Sequence, residues 1–488
     1  MKYQRRTDIN SVMRIEIAVQ AFIGKGKYGE ITRIAKSYNV CRLFIYQLLW
    51  EMRGLFEIEP RRISSKYEQK QIDREIIMLR MEGKCSLEAI SEILKDRGVK
   101  TNSVGYISKR IKALAEVVPS QEPSENKIEF YIADEIFAKG KPILITMEAK
   151  SLTILKIELS TSRDGETWKK HWESITNAQD CDKLIVVSDL GTGLIKGCKE
   201  LGITHHPDLF HLLQPIASYL SRFEQKAYAA ISEEEKRRLV FDNAKTEQVL
   251  QEKLHLYEKA KVSCDLAISL YDNFSYIWQE LKLTFDLFDL EGNVKDPSEN
   301  YSQVLAILSL LSSLAFDPLT LALTSFRKIL VSFWPYFHRA QSIYLNFSNL
   351  YPKELLTLIS LAWQYCRKSR NSKSYSQQLY FNELVNHYLN WAESIYPDNF
   401  SFITHSIFDA YDSNIRSSSF VENINSSLRA FLVNSRSQLS QLSLNLFAFF
   451  HNHRPFLRGH RKGFAPIEIL QGRSLDSSWV DSLLALAY

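Results

Sequence analysis

Two aspartates and one glutamate carry the strongest chemical signal in this sequence. Asp134 closes the apolar run IEFYIAD (128–134) and Asp189 closes KLIVVSD (183–189), so each carboxylate ends a strand-like segment. Neighbouring strands in one sheet would set those two ends side by side and bring two carboxylates to one or two divalent cations. Mg2+, or Mn2+ in its place, takes oxygen ligands and draws only a few carboxylates from a protein. Glu422 is the candidate third: in SSSFVENINSSLR the serines open a helix, and Asn425, Ser426 and Arg429 follow at i+3, i+4 and i+7 on its face. Three carboxylates around two cations activate an attacking hydroxyl and stabilise the departing oxygen of a phosphodiester. Taken singly, an aspartate at a strand end is also an ordinary turn or cap former. The order of the three is what suggests a site.

The elements that must position these groups follow from patterning. IEFYIAD, KPILITMEA (141–149) and TILKIELST (153–161) read as three consecutive antiparallel strands. GETWKKHWESI (165–175) reads as a helix, KLIVVSD as a buried strand, TGLIKGCKEL (192–201) as a helix and THHPDLFHLL (204–213) as a further short strand, giving βββ-α-β-α-β. Residues 216–410 are helical in pattern and rich in Leu and aromatics, with Trp278, Trp334, Trp363 and Trp391 read as mostly core. From Ser417 one long helical run is expected, then a basic tail.

Ahead of the strands, ITRIAKSYNVCRLFIYQLL (31–49) places apolar residues at helical spacing on both sides of a Ser37-Tyr38-Asn39 turn, a helix-turn-helix pattern. SLEAISEILKDRGVKTNSVGYISKRIKAL (86–114) repeats it around Gly98. Such pairs can lay a second helix in a major groove while Arg42, Lys109, Arg110 and Lys112 hold phosphates; the alternative is a plain helical bundle with solvated basic faces. Met1–Ser120 holds 23 Lys+Arg against 14 Asp+Glu, net +9, whereas the whole chain is 61 − 56 = +5, so the basic excess lies at the front. The expected organisation is two helix-turn-helix units in 1–118, a linker at 119–127 (within VVPSQEPSENK, 117–127), a first core part in 128–215, an all-helical insertion in 216–410, last core helices in 411–452 and a basic tail in 453–488.

Composition supports a folded multidomain protein: 45% hydrophobic and 24% charged residues over 488 positions. The longest nearly apolar stretch, Val304–Phe316, is 13 residues and too short to span a bilayer. MKYQRRTDIN has no apolar region behind it, so no secretory signal is expected. Six scattered cysteines with no C-x-x-C pair suit reduced thiols better than a disulfide frame or a zinc site.

YIADEIFAKGKPILITMEAKSLTILKIEL, VVSDLGTGLIKG, HHPDLFHLL, and SSSFVENINSSLRAFLVNSR followed by FFHNHRPFLRGHRKGFAPIEIL resemble a DDE-type DNA transposase over about 128–215 and 415–470. The resemblance implies an RNase H-like mixed α/β core interrupted by a large helical insertion. By matching position it implies Asp134, Asp189 and Glu422 as the catalytic, metal-holding triad with two Mg2+ or Mn2+ ions. The 422 − 189 = 233 positions between the last two carboxylates match branches, hAT-like ones among them, that carry an all-helical insertion there. Those branches also carry a Cys-or-Asp-x-x-His pair, matched by Asp208 and His211, for which a structural link at the sheet edge is the favoured role over metal ligation. The front end lacks the zinc-finger spacing of hAT proteins. Arg454, Arg458, Arg461 and Lys462 sit in a family-like ending that implies phosphate contact, with Arg429 also a DNA contact; a solvated tail is the plainer reading. The implied partners are double-stranded DNA, as element terminal repeats and target, and further copies of the chain on DNA, with no membrane. The implied setting is a bacterial-type cytoplasm. A non-catalytic or decayed DNA-binding relative and a hydrolysis-only nuclease on the same core are the alternatives.

Overall fold

The computed structural model describes residues 8–24, 26–55, 65–120, 128–176, 184–433 and 439–488, with side chains from 53 to 55 and 65 to 67 left aside. Most of the expected linker, residues 121–127, lies outside that set, as does Cys181. The other five cysteines are unpaired. Two compact units divide between Glu75 and Ile76.

In the first unit, α1 (Ser11–Ile23) and α2 (Glu30–Ser37) both pack on α3 (Arg42–Leu55). Their shared core is Ile17, Ala18, Ala21, Ile34, Ile45 and Leu48. The turn after α2 closes with Asn39 at φ 48° and Val40 N donating to Ala35 O. This is the left-handed stop that usually takes glycine. Helix α4 (Ser65–Met81) crosses the division.

The second unit opens with α5 (Leu87–Asp96) and α6 (Val104–Glu116), capped by Ser86 and Ser103 and joined through Gly98 at φ 74°. The helical pair is as expected, but its place is not with the first pair. Leu114, Ala115 and Val118 are buried in the core of the following sheet, so the expected 1–118 module is divided between the two units.

The sheet has five strands, β1 (Phe130–Ala138), β2 (Lys141–Glu148), β3 (Ile154–Leu159), β4 (Ile185–Ser188) and β5 (Thr204–Pro207), in the order β3-β2-β1-β4-β5. β1–β2 and β2–β3 are antiparallel, whereas β1–β4 and β4–β5 are parallel. Helix α7 (Gly165–Thr176) connects β3 to β4, and α8 (Thr192–Leu201) connects β4 to β5. β1 runs four residues past Asp134, because Lys139 (φ 53°) and Gly140 (φ 75°) form the two-residue turn that suits a twisted hairpin.

Strand alternation then sorts the side chains onto two faces. Ile132 and Ile136 point to a layer that contains α6 and the late helices, while Tyr131 and Ala133 point to α7 and α8 with their buried Trp168, Trp172, Leu194 and Cys198. Asp134 shares its parity with Ile132 and Ile136.

β5 stops at Pro207 and is not the ten-residue strand expected: Asp208 caps α9 (Leu209–Asp242). α9 pairs with α10 (Glu247–Thr284), and α11 (Pro297–Ser312), α12 (Asp317–Phe333), α13 (Pro335–Ser348), α14 (Lys353–Asn371), α15 (Tyr375–Ile395) and α16 (Phe400–Ser413) follow. They bury a core of their own that includes Trp278, Trp334 and Trp363, while Trp391 is half exposed. Both ends of the insertion meet. Leu209 N donates to Arg416 O, and Ser418 donates to Asp208 from its backbone N and its hydroxyl.

The expected single long helix after Ser417 is two: α17 (Ser419–Val433) and α18 (Gln441–His453), the second opened by a reciprocal Ser440–Ser443 cap. α18 lies along β3, the sheet's edge. Asn452 accepts from Ile154 N and donates to Ile154 O, and Gln441 accepts from Leu159 N and donates to Ile157 O. Two side-chain amides therefore stand in for a sixth strand and blunt the edge. The expected tail is folded: α19 (Pro466–Gln471) joins the α7–α8 layer and α20 (Trp479–Ala487) buries Trp479, Val480, Leu483 and Leu484 beside α6 and α18. At about 1.5–3 kcal/mol for each fully buried apolar side chain, α20 is a docked element.

Candidate active site

β1 and β4 are paired from Phe130–Ile185 to Ile132–Val187 and then part, β1 continuing along β2 while β4 ends at Ser188. Asp134 and Asp189 each stand two residues beyond that last pair, Asp134 inside β1 where only β2 still pairs with it and Asp189 just past the end of β4.

Asp134 accepts from Glu135 N (2.8 Å) and from Asn425 Nδ2 (2.7 Å). Burial pushes its carboxyl up to about 6, the charge of Asp189 adds to the rise, and the two hydrogen bonds together with the charge of His211 oppose it. Asp189 accepts from Gly191 N (2.9 Å), a tight turn into α8. A Cβ at Gly193 would lie 2.0 Å from Arg163 O, so the segment after Asp189 is pressed against the loop before α7. On the far face of β1, Glu135 pairs with Arg163.

Asp208 is buried and holds four donors: His211 N (3.0 Å), His211 Nδ1 (3.2 Å), and the backbone N and hydroxyl of Ser418. Burial raises its pKa, but those bonds outweigh burial and hold it at about 2. His211 is raised, chiefly by Asp208, with Asp189 and Asp134 contributing through space. The Asp-x-x-His pair thus caps a helix, ties the insertion's two ends, and turns a readily protonated imidazole toward the two carboxylates.

Glu422 lies in the first turn of α17 and is exposed; its carbonyl accepts from the Ser426 hydroxyl. One turn on, Asn425 reaches Asp134. The structure therefore brings together two of the three expected carboxylates and the neighbour of the third. Among the described residues no set of three His, Cys, Asp or Glu stands close enough to hold a metal ion. The donor chemistry nonetheless fits a hard cation: two carboxylates in mutual range, one raised by burial, with the buried Asn425 Oδ1 left without a hydrogen-bond partner.

The basic residues divide. Arg454 is committed to Glu82, with Nε 2.8 Å from Oε1 and a terminal nitrogen 2.7 Å from Oε2, which removes it from the expected phosphate contacts. Arg461 is half-buried over Phe420 and donates to Lys150 O. Arg458, Lys462, Arg429, Lys109 and Lys112 are exposed, and Arg110 donates to the Tyr488 hydroxyl. In the first unit Arg42 is exposed at the start of α3, in a groove shared with Lys27, Lys36, Tyr46 and Trp50.

No protein-family model and no curated protein matches this sequence. Among the described residues no helix is long and apolar enough to cross a membrane. Sequence reasoning missed Ser418 as the partner of Asp208; Pro207-Asp208 before Leu209, Leu212, Leu213 and Ile216 was the signal, a cap followed by helical spacing.

Proposed function

We propose that this chain is a DDE-type DNA transposase whose catalytic carboxylates are Asp134, Asp189 and Glu422. The observation that carries the reading is the placement of Asp134 beside Asp189 where β1 and β4 part, with α17 hydrogen-bonded onto Asp134 through Asn425. A first strand beside the fourth, and a late helix over both, is the arrangement that an RNase H-like core requires. It supports that fold here. Glu422, one turn from Asn425, is the proposed third ligand.

Asp134, Asp189 and Glu422 would hold one or two Mg2+ or Mn2+ ions, which supply charge neutralisation and a lowered pKa for a bound hydroxyl. The chain's own residues do the rest. Asp134, pushed up to about 6 by burial, is mostly ionised at neutral pH. His211 offsets the repulsion between the two aspartates, and Asn425 fixes the Asp134 carboxylate. The helical pairs α2–α3 and α5–α6 are proposed as helix-turn-helix readers of element ends, with Arg42, Lys109 and Lys112 exposed for phosphates. Hydrolysis of one strand leaves a 3′-hydroxyl, which then displaces a 3′-oxygen in target DNA. Copies of the chain are proposed to assemble on the two element ends.

The test uses the full chain with Mg2+ and a duplex carrying the inverted repeats that flank its gene. Wild-type protein nicks the repeat end and joins it to a second duplex. Asp189→Asn binds equally well in a gel shift and does neither. Nicking by Asp189→Asn at the wild-type rate overturns the assignment, and nicking without joining in the wild type identifies a nuclease.

A further inference from the structure

A second charged constellation lies in the helical insertion, apart from the two aspartates. A pocket of about 620 Å³ is lined by Lys282 at the end of α10, Asp286, Arg367 and Lys368 of α14, Lys373 after it, and Arg416. Its single carboxylate is taken, since Asp286 pairs with Lys368 at 2.8 Å. Asp412, nearby, accepts from Trp363 Nε1 and pairs with Arg370. Among the described residues Lys282, Arg367, Lys373 and Arg416 form no ion pair.

The Arg367 guanidinium carbon sits over the Trp363 ring, 4.8 Å from its centroid, and Arg416 donates to Phe285 O. Both guanidinium groups are therefore held in place by contacts that form no ion pair, Asp412 acting on Arg367 only through space while it pairs with Arg370. Burial, and then the charge of Arg416, lowers Arg367 to about 10, so it stays cationic at neutral pH. Four cations gathered in a partly desolvated pocket oppose folding unless an anion joins them. Guanidinium forks match phosphate oxygens.

We infer that this pocket is a phosphate-binding site, built to seat a phosphate or phosphodiester group between Arg367, Arg416, Lys282 and Lys373. Its position gives the site a purpose. Arg416 contributes its side chain to the pocket while its carbonyl accepts from Leu209 N, and Ser418, two residues on, is bound to Asp208. The anion seat and the start of α17 are thus one short segment. The group seated there is either a phosphate of a strand running toward the carboxylates, which rests on the nucleic-acid reading above, or a free polyphosphate.

The full chain decides between these in two arms. In the first, inorganic pyrophosphate is titrated while thermal unfolding is followed; the midpoint rises for wild type and not for Arg367→Gln or for Lys282→Gln/Lys373→Gln. In the second, a fluorescent oligonucleotide of about 30 nucleotides is titrated at several salt concentrations. Loss of a charged hydrogen bond lowers affinity about tenfold or more in Arg367→Gln, equivalent to about 1.4 kcal/mol. The slope of log K against log salt falls by about one, and by about two in the double variant. A response in both arms assigns a strand phosphate, and a response to pyrophosphate alone assigns a free polyphosphate; each supports a phosphate site. Wild-type behaviour of the double variant in both arms overturns the inference, and because its side chains are at the pocket rim it folds even where Arg367→Gln does not. Asp189→Asn retains both responses, so failure here and failure of the catalytic assignment are separate results.

Discussion

Replacing Asp134 by an asparagine tests the electrostatics of the aspartate pair without any substrate. In the folded chain the carboxyl titrates at about 6 against an ordinary value of 3.8, a rise of about two pH units. At 1.36 kcal/mol for each, ionised Asp134 opposes folding by ~3 kcal/mol at pH 7.5. The sign is that of a raised pKa: the stability is present below pH 3.8, declines between 3.8 and 6, and is gone above 6. An amide in place of this carboxyl cannot ionise, and it can donate to Asn425 Oδ1, which has no hydrogen-bond partner. Asp134→Asn is therefore expected to be more stable than wild type by ~3 kcal/mol at pH 7.5 and nearly equal to it at pH 3.5. Ile76–Tyr488 spans 488 − 75 = 413 residues. At about 2 cal/mol/K per residue, the gain corresponds to a midpoint ~4 °C higher in a calorimetric scan. Adding Mn2+ reverses the order, because only wild type keeps both carboxylates. A midpoint difference that does not change between pH 3.5 and 7.5, or a less stable variant at pH 7.5, would refute the argument.

Two further substitutions probe the supports of the site. Asp208→Ala removes a carboxylate held at about 2 and strands the Ser418 backbone N–H, at a cost of about 3 kcal/mol or more; trypsin should then cut faster after Arg416, and unchanged cutting with an unchanged midpoint would count against the clamp. Asn452→Ala leaves Ile154 N and O unpaired at the sheet edge, about 2–4 kcal/mol for two buried groups; lower thermal stability and added light scattering are expected, and wild-type values in both would show that the edge needs no such cover.

The strands were legible because buried strands read as apolar runs whose ends are marked by polar residues, and β1, β2, β3 and β4 lie within a few residues of the expected segments. What failed was arbitration between strand and helix in short apolar runs. THHPDLFHLL has the length of a strand, but Asp208 is a cap and only four residues pair. The start of α18 was hidden because the spacing through Leu439 and Leu442 stays helical; the Ser440–Ser443 reciprocal cap was the local signal. In the C-terminal segment Trp479, Val480, Leu483 and Leu484 form one face of a helix behind the basic residues, a spacing too short to stand out from a tail. For the site, Asp134 and Asp189 were read as strand ends and Asn425 from helix spacing; Asp189 does follow the end of β4, whereas Asp134 lies inside β1, because the Lys139–Gly140 turn lets the β1–β2 ladder run on past it. The division at Glu75 was not, because the apolar faces of α5 and α6 do not reveal which core they join.

The meeting of Leu209 with Arg416 bears on how such a chain can change over time. Two hydrogen-bonded junctions hold the departure and return of the intervening helices at one place on the sheet, whatever lies between. Lengthening or shortening the α9–α10 hairpin at its Asn243–Thr246 turn would leave that joint and the register of β4 and β5 unaltered, and loop closure would add only ~0.6 kcal/mol for each doubling of length. The segment has the form of a cassette. Relatives that share this sheet can therefore differ widely in length at this one address, and alignments anchored on the strands should expect their largest gap between Asp208 and Ser418.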